Sequence, residues 1–246
     1  MQEFNIHIIV PFRNVRNHIE RCLQALLSQQ YNLYTVHFLD DCSDDGTSDL
    51  IPDDIDYISK KYNPERYGPL KNIWSCLTNN DFEDEDIIAI VDGDDFLIGE
   101  YSLQVVNYYH NQGALVTYGQ YIDNYGFLGH CHAYSESDFQ DLRKADWKAS
   151  HLKTFRYKVF RELLRQDPSA NAFKDNNGDF LTFTGDMALM LPLLEIAGLE
   201  NTQSCSQVLY CYRRHENNEH ATEAQALLQK EAEQCIRSKP PFSRYF

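Results

Sequence analysis

The sequence predicts an α/β fold with a mostly parallel central sheet, because short apolar runs alternate with helical patterns. The runs cover 6–11, 34–39 and 87–91, and each has the length of a buried strand. Between them, apolar residues recur every three or four positions in 15–26 and 70–77, which predicts amphipathic helices. This order is typical of parallel sheets with right-handed crossovers. We therefore expect ligands to bind beyond the carboxyl ends of these strands.

The second half of the chain has a less regular pattern. Pro192 lies in an apolar helical stretch and is expected to interrupt or bend it, because proline lacks the N–H that a helix interior needs. The pattern of this half predicts a helix at 103–109, a strand at 114–118, a hairpin at 121–128, helices at 155–163 and 186–197, a strand at 207–212 and a terminal helix at 221–237.

The length of 246 residues fits one large α/β domain with a small appendage. Hydrophobic residues make up 43% of the chain, which is enough for a sizeable core and argues against global disorder. We expect a single domain at 1–215 and a C-terminal helical extension at 216–246, in which two consecutive prolines end the last helix.

The chain is strongly acidic, with 37 acidic and 22 basic residues and a formal net charge of -15. Such a surface repels phosphate backbones, so nucleic acid and anionic membranes are excluded as general partners. A nucleotide ligand stays open, because a bound divalent cation can reverse the local sign of the charge.

The seven cysteines include no C-x-x-C pair, which disfavours a zinc site or a disulfide framework. A reducing, cytoplasmic location fits this pattern best. No signal peptide is visible, and no apolar run approaches the roughly 20 residues that cross a bilayer. We expect a cytoplasmic protein without a transmembrane segment, and peripheral association with the cytoplasmic membrane face stays open.

A cluster of carboxylates follows the third predicted strand, in the sequence Asp92-Gly93-Asp94-Asp95. Carboxylates at this density repel one another unless a positive charge lies among them, and a divalent cation shared with donor phosphates meets that need. An ordinary Asp-Gly turn between two strands is the alternative interpretation. The position directly after a buried strand favours the cation.

A second acidic cluster, Asp40, Asp41, Asp44 and Asp45, follows the second predicted strand. Carboxylates there could bind ribose hydroxyls or a base N–H, and a solvated turn that caps a helix is the alternative. A calcium loop of the EF-hand kind is excluded, because Pro52 stands where the loop requires a glutamate.

Three common α/β enzyme classes lack their motifs here. The sequence has no G-x-G-x-x-G, no G-x-x-x-x-G-K-[ST] and no G-x-S-x-G. Dinucleotide-binding Rossmann domains, P-loop enzymes and α/β-hydrolases are therefore disfavoured.

Six motifs then occur in an order that is typical of one enzyme family. They are IIVPFRN, FLDDCSDDGT, the Lys71-Asn72 pair, IVDGDDFL, TFTGDMALMLPLLEIAG and YRRH. With them, residues 5–215 resemble the family 2 glycosyltransferases of the GT-A fold. The resemblance implies a Rossmann-like GT-A domain that transfers a sugar from a nucleotide-sugar donor.

The resemblance also implies roles for individual residues. The nucleotide sugar would be bound by Pro11, Asp40, Asp41, Lys71, Asp92, Gly93, Asp94 and Arg213. Among these, Asp41 would contact the base, and Asp40 would support its loop. A Mn²⁺ or Mg²⁺ ion that bridges the diphosphate would be held by Asp94, Asp95 and His215.

Asp186 matches the general base of the inverting members of the family. An ordinary helix N-cap is the alternative for Asp186, and a surface-loop histidine is the alternative for His215. Two positions depart from the family pattern: Gly185 stands where glutamate is frequent, and Lys71 stands where arginine is usual. The Q-x-x-R-W element of processive synthases is absent, which favours transfer of a single sugar.

The resemblance implies a UDP-sugar as the default donor and a glycan or glycoconjugate hydroxyl as the acceptor. Aromatic residues in 118–134 could shape an acceptor site, although ordinary packing explains most of them. Two other functions stay open at this point. One is a nucleotidyltransferase that makes a nucleotide sugar, and the other is a non-catalytic domain that binds one.

Overall fold

The computed structural model describes residues 1–215 and 222–246, and a single sheet forms its centre. The sheet runs in the order β3-β2-β1-β4-β7-β6-β8-β5. Its strands are β1 (Ile6–Phe12), β2 (Tyr34–Asp40), β3 (Ile58–Tyr62), β4 (Ile87–Ile90), β5 (Phe96–Leu97), β6 (Val116–Asp123), β7 (Lys153–Arg156) and β8 (Thr202–Tyr212).

Helices cover both faces of this sheet. They are α1 (Ile19–Leu27), α2 (Pro69–Asn79), α3 (Ser102–Asn111), α4 (Glu136–Gln140), α5 (Tyr157–Gln166), α6 (Gly185–Ala197) and α7 (Glu223–Ser238). No helix in the described ranges combines the length and the apolar composition that a bilayer crossing requires.

The sheet is parallel on one side and mixed on the other. Strands β3, β2, β1 and β4 run parallel, as the alternation of strands and helices predicts. Strand β7 then pairs antiparallel with β4, so that Lys153 lies opposite Ile90. Because of this reversal, the beginning of β7 and the carboxyl end of β4 lie at the same edge of the sheet.

Two apolar clusters hold the helices against the sheet. Alternate residues of a strand point to opposite faces, so Ile9 packs towards α2, α5 and α6 while Ile8 packs towards α1 and α3. Each fully buried side chain of this size stabilises the fold by about 1.5–3 kcal/mol relative to an exposed one. The rigid sheet fixes the loops at its carboxyl edge.

The structure corrects or refines three details of the predicted elements. Helix α6 continues through Pro192 as one helix, because it is buried nearly all round and tertiary packing holds it. The predicted helix at 155–163 begins only at Tyr157, and its first residues belong to β7. The predicted hairpin at 121–128 forms as a turn at the end of β6, which contains its first three residues, and an antiparallel bridge joins Ile122 to Leu128.

The C-terminal extension is helical, and α7 packs on the domain through Ala232 and Ile236, which belong to the larger core cluster. The chain after α7 continues along α6, where the Tyr245 backbone N–H donates to the Ile196 carbonyl at 3.0 Å. The predicted boundary at 216 and the predicted start of the terminal helix at 221 lie outside the described residues.

Candidate active site

A cleft of about 1050 Å³ lies at the carboxyl ends of β1, β2 and β4. We call three parts of its lining the first wall, the floor and the second wall. The first wall contains Pro11, Arg13, Asp41, Arg66 and Asn72. The floor contains Asp92, Asp94 and Asp95, and the second wall contains Trp147, Thr184, Gly185, Asp186 and the α7 residues Ala226, Gln229, Lys230 and Glu233.

The floor is a tight turn that packs directly on β1. The Gly93 N–H donates to the Pro11 carbonyl at 3.2 Å, and the Asp95 N–H donates to the Asp92 carbonyl at 3.0 Å. A Cβ atom at Gly93 would lie 2.5 Å from the Cβ of Phe12, closer than such atoms can approach. Glycine is therefore required here by the strand beside it.

Asp95 braces the floor against β8. Its carboxylate is 1% exposed, and it accepts hydrogen bonds from the Tyr210 hydroxyl at 2.8 Å and from the Arg213 backbone N–H at 2.7 Å. Burial, followed by the charges of Asp94 and Asp92, raises its pKa well above the usual carboxyl range. Binding a cation through the Asp95 carboxylate would compete with these two hydrogen bonds.

Asp94 and His215 bring two potential metal-ligand atoms together in the cleft. Asp94 Oδ2 lies 2.9 Å from His215 Nε2, and both side chains are partly exposed to the cleft. Adjacent ligand atoms at about 2.1 Å from an octahedral Mg²⁺ lie about 3 Å apart, so this spacing matches two neighbouring ligands. Carboxylate and imidazole are also donors that Mn²⁺ accepts.

A buried lysine joins the floor to the second wall. Lys153 Nζ, on a side chain that is 1% exposed, donates to Asp186 Oδ1 at the start of α6. Burial lowers the pKa of Lys153, but the charges of Asp186 and Asp92 outweigh it and raise that pKa. Burial raises the pKa of Asp92 to about 7 against the effect of Lys153, and the charges of Asp186 and Asp94 add to the increase. The ammonium group is therefore paired with Asp186 and is also attracted by the charge of Asp92.

His151 lies at the same junction. Its Nε2 atom is 3.7 Å from Asp186 Oδ2 and 4.0 Å from Asp92 Oδ2, and its ring stacks on Tyr210 at 4.3 Å. Burial, helped by the charge of Lys153, lowers its pKa to about 3, so the ring is neutral at ordinary pH. In the part of the chain that the structure describes, Asp92, Asp95 and His151 also form a group with metal-ligand spacing.

Sequence reasoning missed His151 and Lys153. Both belong to the run HLKTFR, where the expected element was the beginning of a helix at 155. No apolar–polar alternation marked this run as a strand, because Thr154 and Arg156 share a side with Leu152 while Phe155 shares the other side with Lys153.

In the first wall, Asp41 organises the loop before α2. Its carboxylate is 4% exposed and accepts hydrogen bonds from the Tyr67 N–H at 2.7 Å, the Gly68 N–H at 3.0 Å and the Asn72 side chain at 2.9 Å. Asp40 is fully buried behind it and accepts a bond from the Ser43 N–H at 2.8 Å. Of these two predicted residues, only Asp41 lines the cleft.

Two predicted binding residues lie beside the cleft rather than in its lining. Lys71 Nζ lies 3.9 Å from the centre of the Tyr67 ring, and the Arg213 guanidinium lies 2.7 Å from His18 Nδ1. Their chain neighbours Asn72 and Arg214 line the cleft instead. Gly93 also stays behind the floor, whereas Pro11, Asp92, Asp94, Asp95, Asp186 and His215 all reach the cleft.

Solved structures share this fold. TarS from S. aureus matches with a TM-score of 0.62 and 16% identity, covering 91% of this chain and 39% of that one. TarS 1-349 in complex with UDP-GlcNAc matches with a TM-score of 0.58 and 14% identity, covering 95% and 70%. The mannosyltransferase PcManGT from Pyrobaculum calidifontis, in complex with GDP-Man and Mn²⁺, matches with a TM-score of 0.63 and 17% identity, covering 96% and 65%.

This chain therefore spans less than half the length of the full TarS chain, and identities this low show the fold alone. No curated protein sequence matches the chain. The sequence profile described as Glycosyl transferase family 2 matches residues 7–170, which is more than half of the chain. The predicted GT-A fold and the predicted family are thus both confirmed: the chain has the fold of these structures and belongs to glycosyl transferase family 2.

Proposed function

We propose that this protein is an inverting, metal-dependent glycosyltransferase that moves one sugar from a nucleoside-diphosphate sugar to a hydroxyl of a glycan or glycoconjugate. A UDP-sugar is the first donor to test. The observation that supports the proposal is that Asp186 lies close to the floor carboxylates. One atom, His151 Nε2, lies within 4.0 Å of both Asp92 and Asp186. A base and a donor site must be this close for direct transfer.

The donor end of the cleft has the charges that a nucleoside diphosphate needs. Arg13 and Arg66 lie in the first wall, and Arg214 lies near the floor. Guanidinium groups bind phosphate oxygens in bidentate geometry, so these three can hold the diphosphate while Pro11 and the loop held by Asp41 enclose the nucleoside. The titles of two matched structures name UDP-GlcNAc and GDP-Man, which supports a nucleotide-sugar donor.

Asp94 and His215 would hold the metal ion, and the GDP-Man complex of PcManGT, which contains Mn²⁺, supports Mn²⁺ or Mg²⁺. Bound there, the ion would stabilise the negative charge of the leaving diphosphate as a Lewis acid. Asp92 lines the floor beside this pair and would contact the donor.

Asp186 is the proposed base. The acceptor hydroxyl gives its proton to the Asp186 carboxylate as its oxygen bonds to the anomeric carbon and the bond to the diphosphate breaks. The neighbouring Lys153 ammonium donates to this carboxylate and fixes its orientation. In the proposed reaction the acceptor oxygen attacks from the side of Asp186, opposite the leaving diphosphate, and the anomeric configuration inverts.

The test is a panel of UDP-glucose, UDP-galactose, UDP-GlcNAc, GDP-mannose and dTDP-glucose, each with Mn²⁺ or with EDTA. The proposal predicts metal-dependent release of a nucleoside diphosphate from at least one donor. Release of pyrophosphate from a nucleoside triphosphate and a sugar phosphate would instead identify a nucleotidyltransferase. Binding of a donor without turnover, with water or any acceptor, would support the non-catalytic alternative.

A further inference from the structure

One side of the second wall has no part in donor binding or proton transfer. Trp147 and the α7 residues Gln229, Lys230 and Glu233 line the cleft there. The cleft of about 1050 Å³ extends from the floor to these residues, so they line the same cleft as the proposed donor site.

A buried ion pair fixes this side of the cleft. Arg143, four residues before Trp147, forms a bidentate pair with Glu195 of α6 at 2.7 and 2.8 Å, and both side chains are less than 10% exposed. The same guanidinium donates to the Ile236 carbonyl of α7 at 2.7 Å. The loop that carries Trp147 and the helix that carries Lys230 are therefore held in one arrangement.

A second set of hydrogen bonds, donated by α7, joins the same loop and helix. Arg237 of α7 donates to the backbone carbonyls of Arg143 and Ala145, each at 2.9 Å. Arg237 lies about one to three turns along α7 from the α7 residues that line the cleft. A surface held in this way loses little conformational entropy when a ligand binds.

The same surface adjoins the proposed base. The Thr184 hydroxyl donates to the Gln229 carbonyl at 3.1 Å, and Thr184 precedes Asp186 by two residues. Trp147 precedes His151, which contacts Asp186, by only four residues, a chain length of at most about 14 Å. A ligand on this surface can therefore present a group to Asp186.

Its chemistry fits a sugar ring. The half-buried indole of Trp147 offers an apolar face, and Gln229, Lys230 and Glu233 offer hydrogen-bond donors and acceptors around it. A flat apolar surface with a few polar groups at its edge is the usual composition of an orienting binding site. Glu233, which Arg237 contacts at 2.7 Å, and Asp186 place two carboxylates in the lining with the ammonium of Lys230, so the surface favours an uncharged ring over an anionic one.

We propose that Trp147 and the cleft-facing side of α7 form the acceptor subsite, in which a neutral pyranoside stacks on the indole and directs one hydroxyl towards Asp186. This inference depends on the proposed function, because it assigns the second substrate of that reaction to this surface.

Fluorescence tests the binding directly, because Trp74 and Trp147 are the two tryptophans of the chain. In a Trp74→Phe variant only Trp147 emits. Titration with the methyl glycosides of glucose, galactose, mannose and N-acetylglucosamine, in the presence of UDP and Mn²⁺, should change that emission saturably for at least one glycoside. In the matched Trp147→Phe variant, the remaining Trp74 packs against Phe160 and Phe173 outside the cleft lining, so its emission should not respond. A flat titration with all four glycosides, or an equal response from Trp147→Phe, overturns the inference.

Transfer kinetics test the subsite independently. They are measured with the donor that the nucleotide-sugar panel identifies. Trp147→Ala and Lys230→Ala should each lower kcat/KM for the bound glycoside by about tenfold, the size of one lost stacking or hydrogen-bonding contact. Hydrolysis of the donor by water should stay within about twofold, since these residues lie outside the donor site. Leu227→Ala, which alters an exposed α7 residue outside the cleft lining, is the matched control.

The failures are distinguishable. If no donor in the panel is hydrolysed or transferred, the proposed function fails whatever the fluorescence shows. If transfer occurs but neither Trp147→Ala nor Lys230→Ala lowers it, or if both lower donor hydrolysis equally, the acceptor subsite lies elsewhere and the inference fails alone. Lys230 is exposed, so loss of folding cannot explain an effect of its substitution.

Discussion

The two walls of the cleft use their carboxylates in different ways. In the first wall, Asp41 is saturated by backbone N–H groups and an asparagine, so its charge shapes a loop. In the second wall, Asp186 is half-exposed and paired with a buried lysine from β7, so its charge faces the cleft. The comparison teaches that an aspartate in a family motif can be structural or chemical, and that its hydrogen-bond partners distinguish the two roles.

The largest expected effect concerns the support of the second wall. Glu195→Gln should lower the free energy of unfolding by about 3–5 kcal/mol, because it leaves the buried Arg143 guanidinium without its counter-charge. Urea unfolding measures this loss. The double variant Arg143→Met, Glu195→Leu should recover most of it, since both buried charges are then gone. A loss below about 1 kcal/mol, the range of surface ion pairs, would contradict a buried clamp.

The next effect separates the two aspartate roles. Asp186→Asn should lower kcat more than about a hundredfold while donor affinity changes little, because an amide cannot accept the proton from the acceptor hydroxyl. Initial rates and donor titration measure the two quantities. Asp179→Asn, an exposed aspartate away from the cleft, is the matched control. Unchanged kcat in Asp186→Asn would remove the base from the second wall.

A smaller effect is expected for the metal pair on the floor. His215→Ala should weaken activation by Mn²⁺ at least about tenfold, because one of the two facing ligand atoms is lost. The activation curve against Mn²⁺ concentration measures the change, with His132→Ala as an exposed control. The same activation constant in both variants would place the ion elsewhere, for example at Asp92, Asp95 and His151.

The smallest effect concerns β7, the strand that joins the two walls. His110 bonds to Thr154 of β7 at 2.8 Å, and burial, followed by the charge of Arg156, lowers its pKa from 6.5 to about 3. Below pH 6.5 the unfolded chain binds a proton at this position that the folded protein does not, so stability falls as the pH falls. Above pH 6.5 His110 is neutral in both the folded and the unfolded chain, so the stability no longer changes with pH through this residue.

Between pH 7.5 and 5.5, wild-type protein should therefore lose about 1.4 kcal/mol more stability than His110→Gln. Urea unfolding at the two pH values measures the difference, and an exposed substitution, His132→Gln, should behave as wild type. Equal losses in wild type and His110→Gln would show that His110 titrates normally in the folded protein.

The sequence predicts the floor well because its signal is local. Three aspartates directly after a buried strand are enough to place Asp92, Asp94 and Asp95 at a sheet edge, and the structure has them in the cleft. Lys71 does not line the cleft, because neighbouring positions on a helix point about 100° apart and Asn72 faces the cleft.

The link between the walls could not be predicted in the same way. Lys153 reaches Asp186 only because β7 runs antiparallel beside β4, and strand order is not readable from a short run that contains lysine and arginine. Nor does the sequence reveal that the Asp41 carboxylate is occupied by backbone N–H groups, since such bonds depend on the path of the following loop.

The central claim is that an acceptor on the second wall attacks a donor held at the floor from the face opposite its diphosphate. The most direct test is the anomeric configuration of the transfer product. The product is made with the donor that the nucleotide-sugar panel identifies, and proton NMR measures its configuration. An α-linked donor should give a β-linked product. An α-linked product would contradict direct displacement assisted by Asp186.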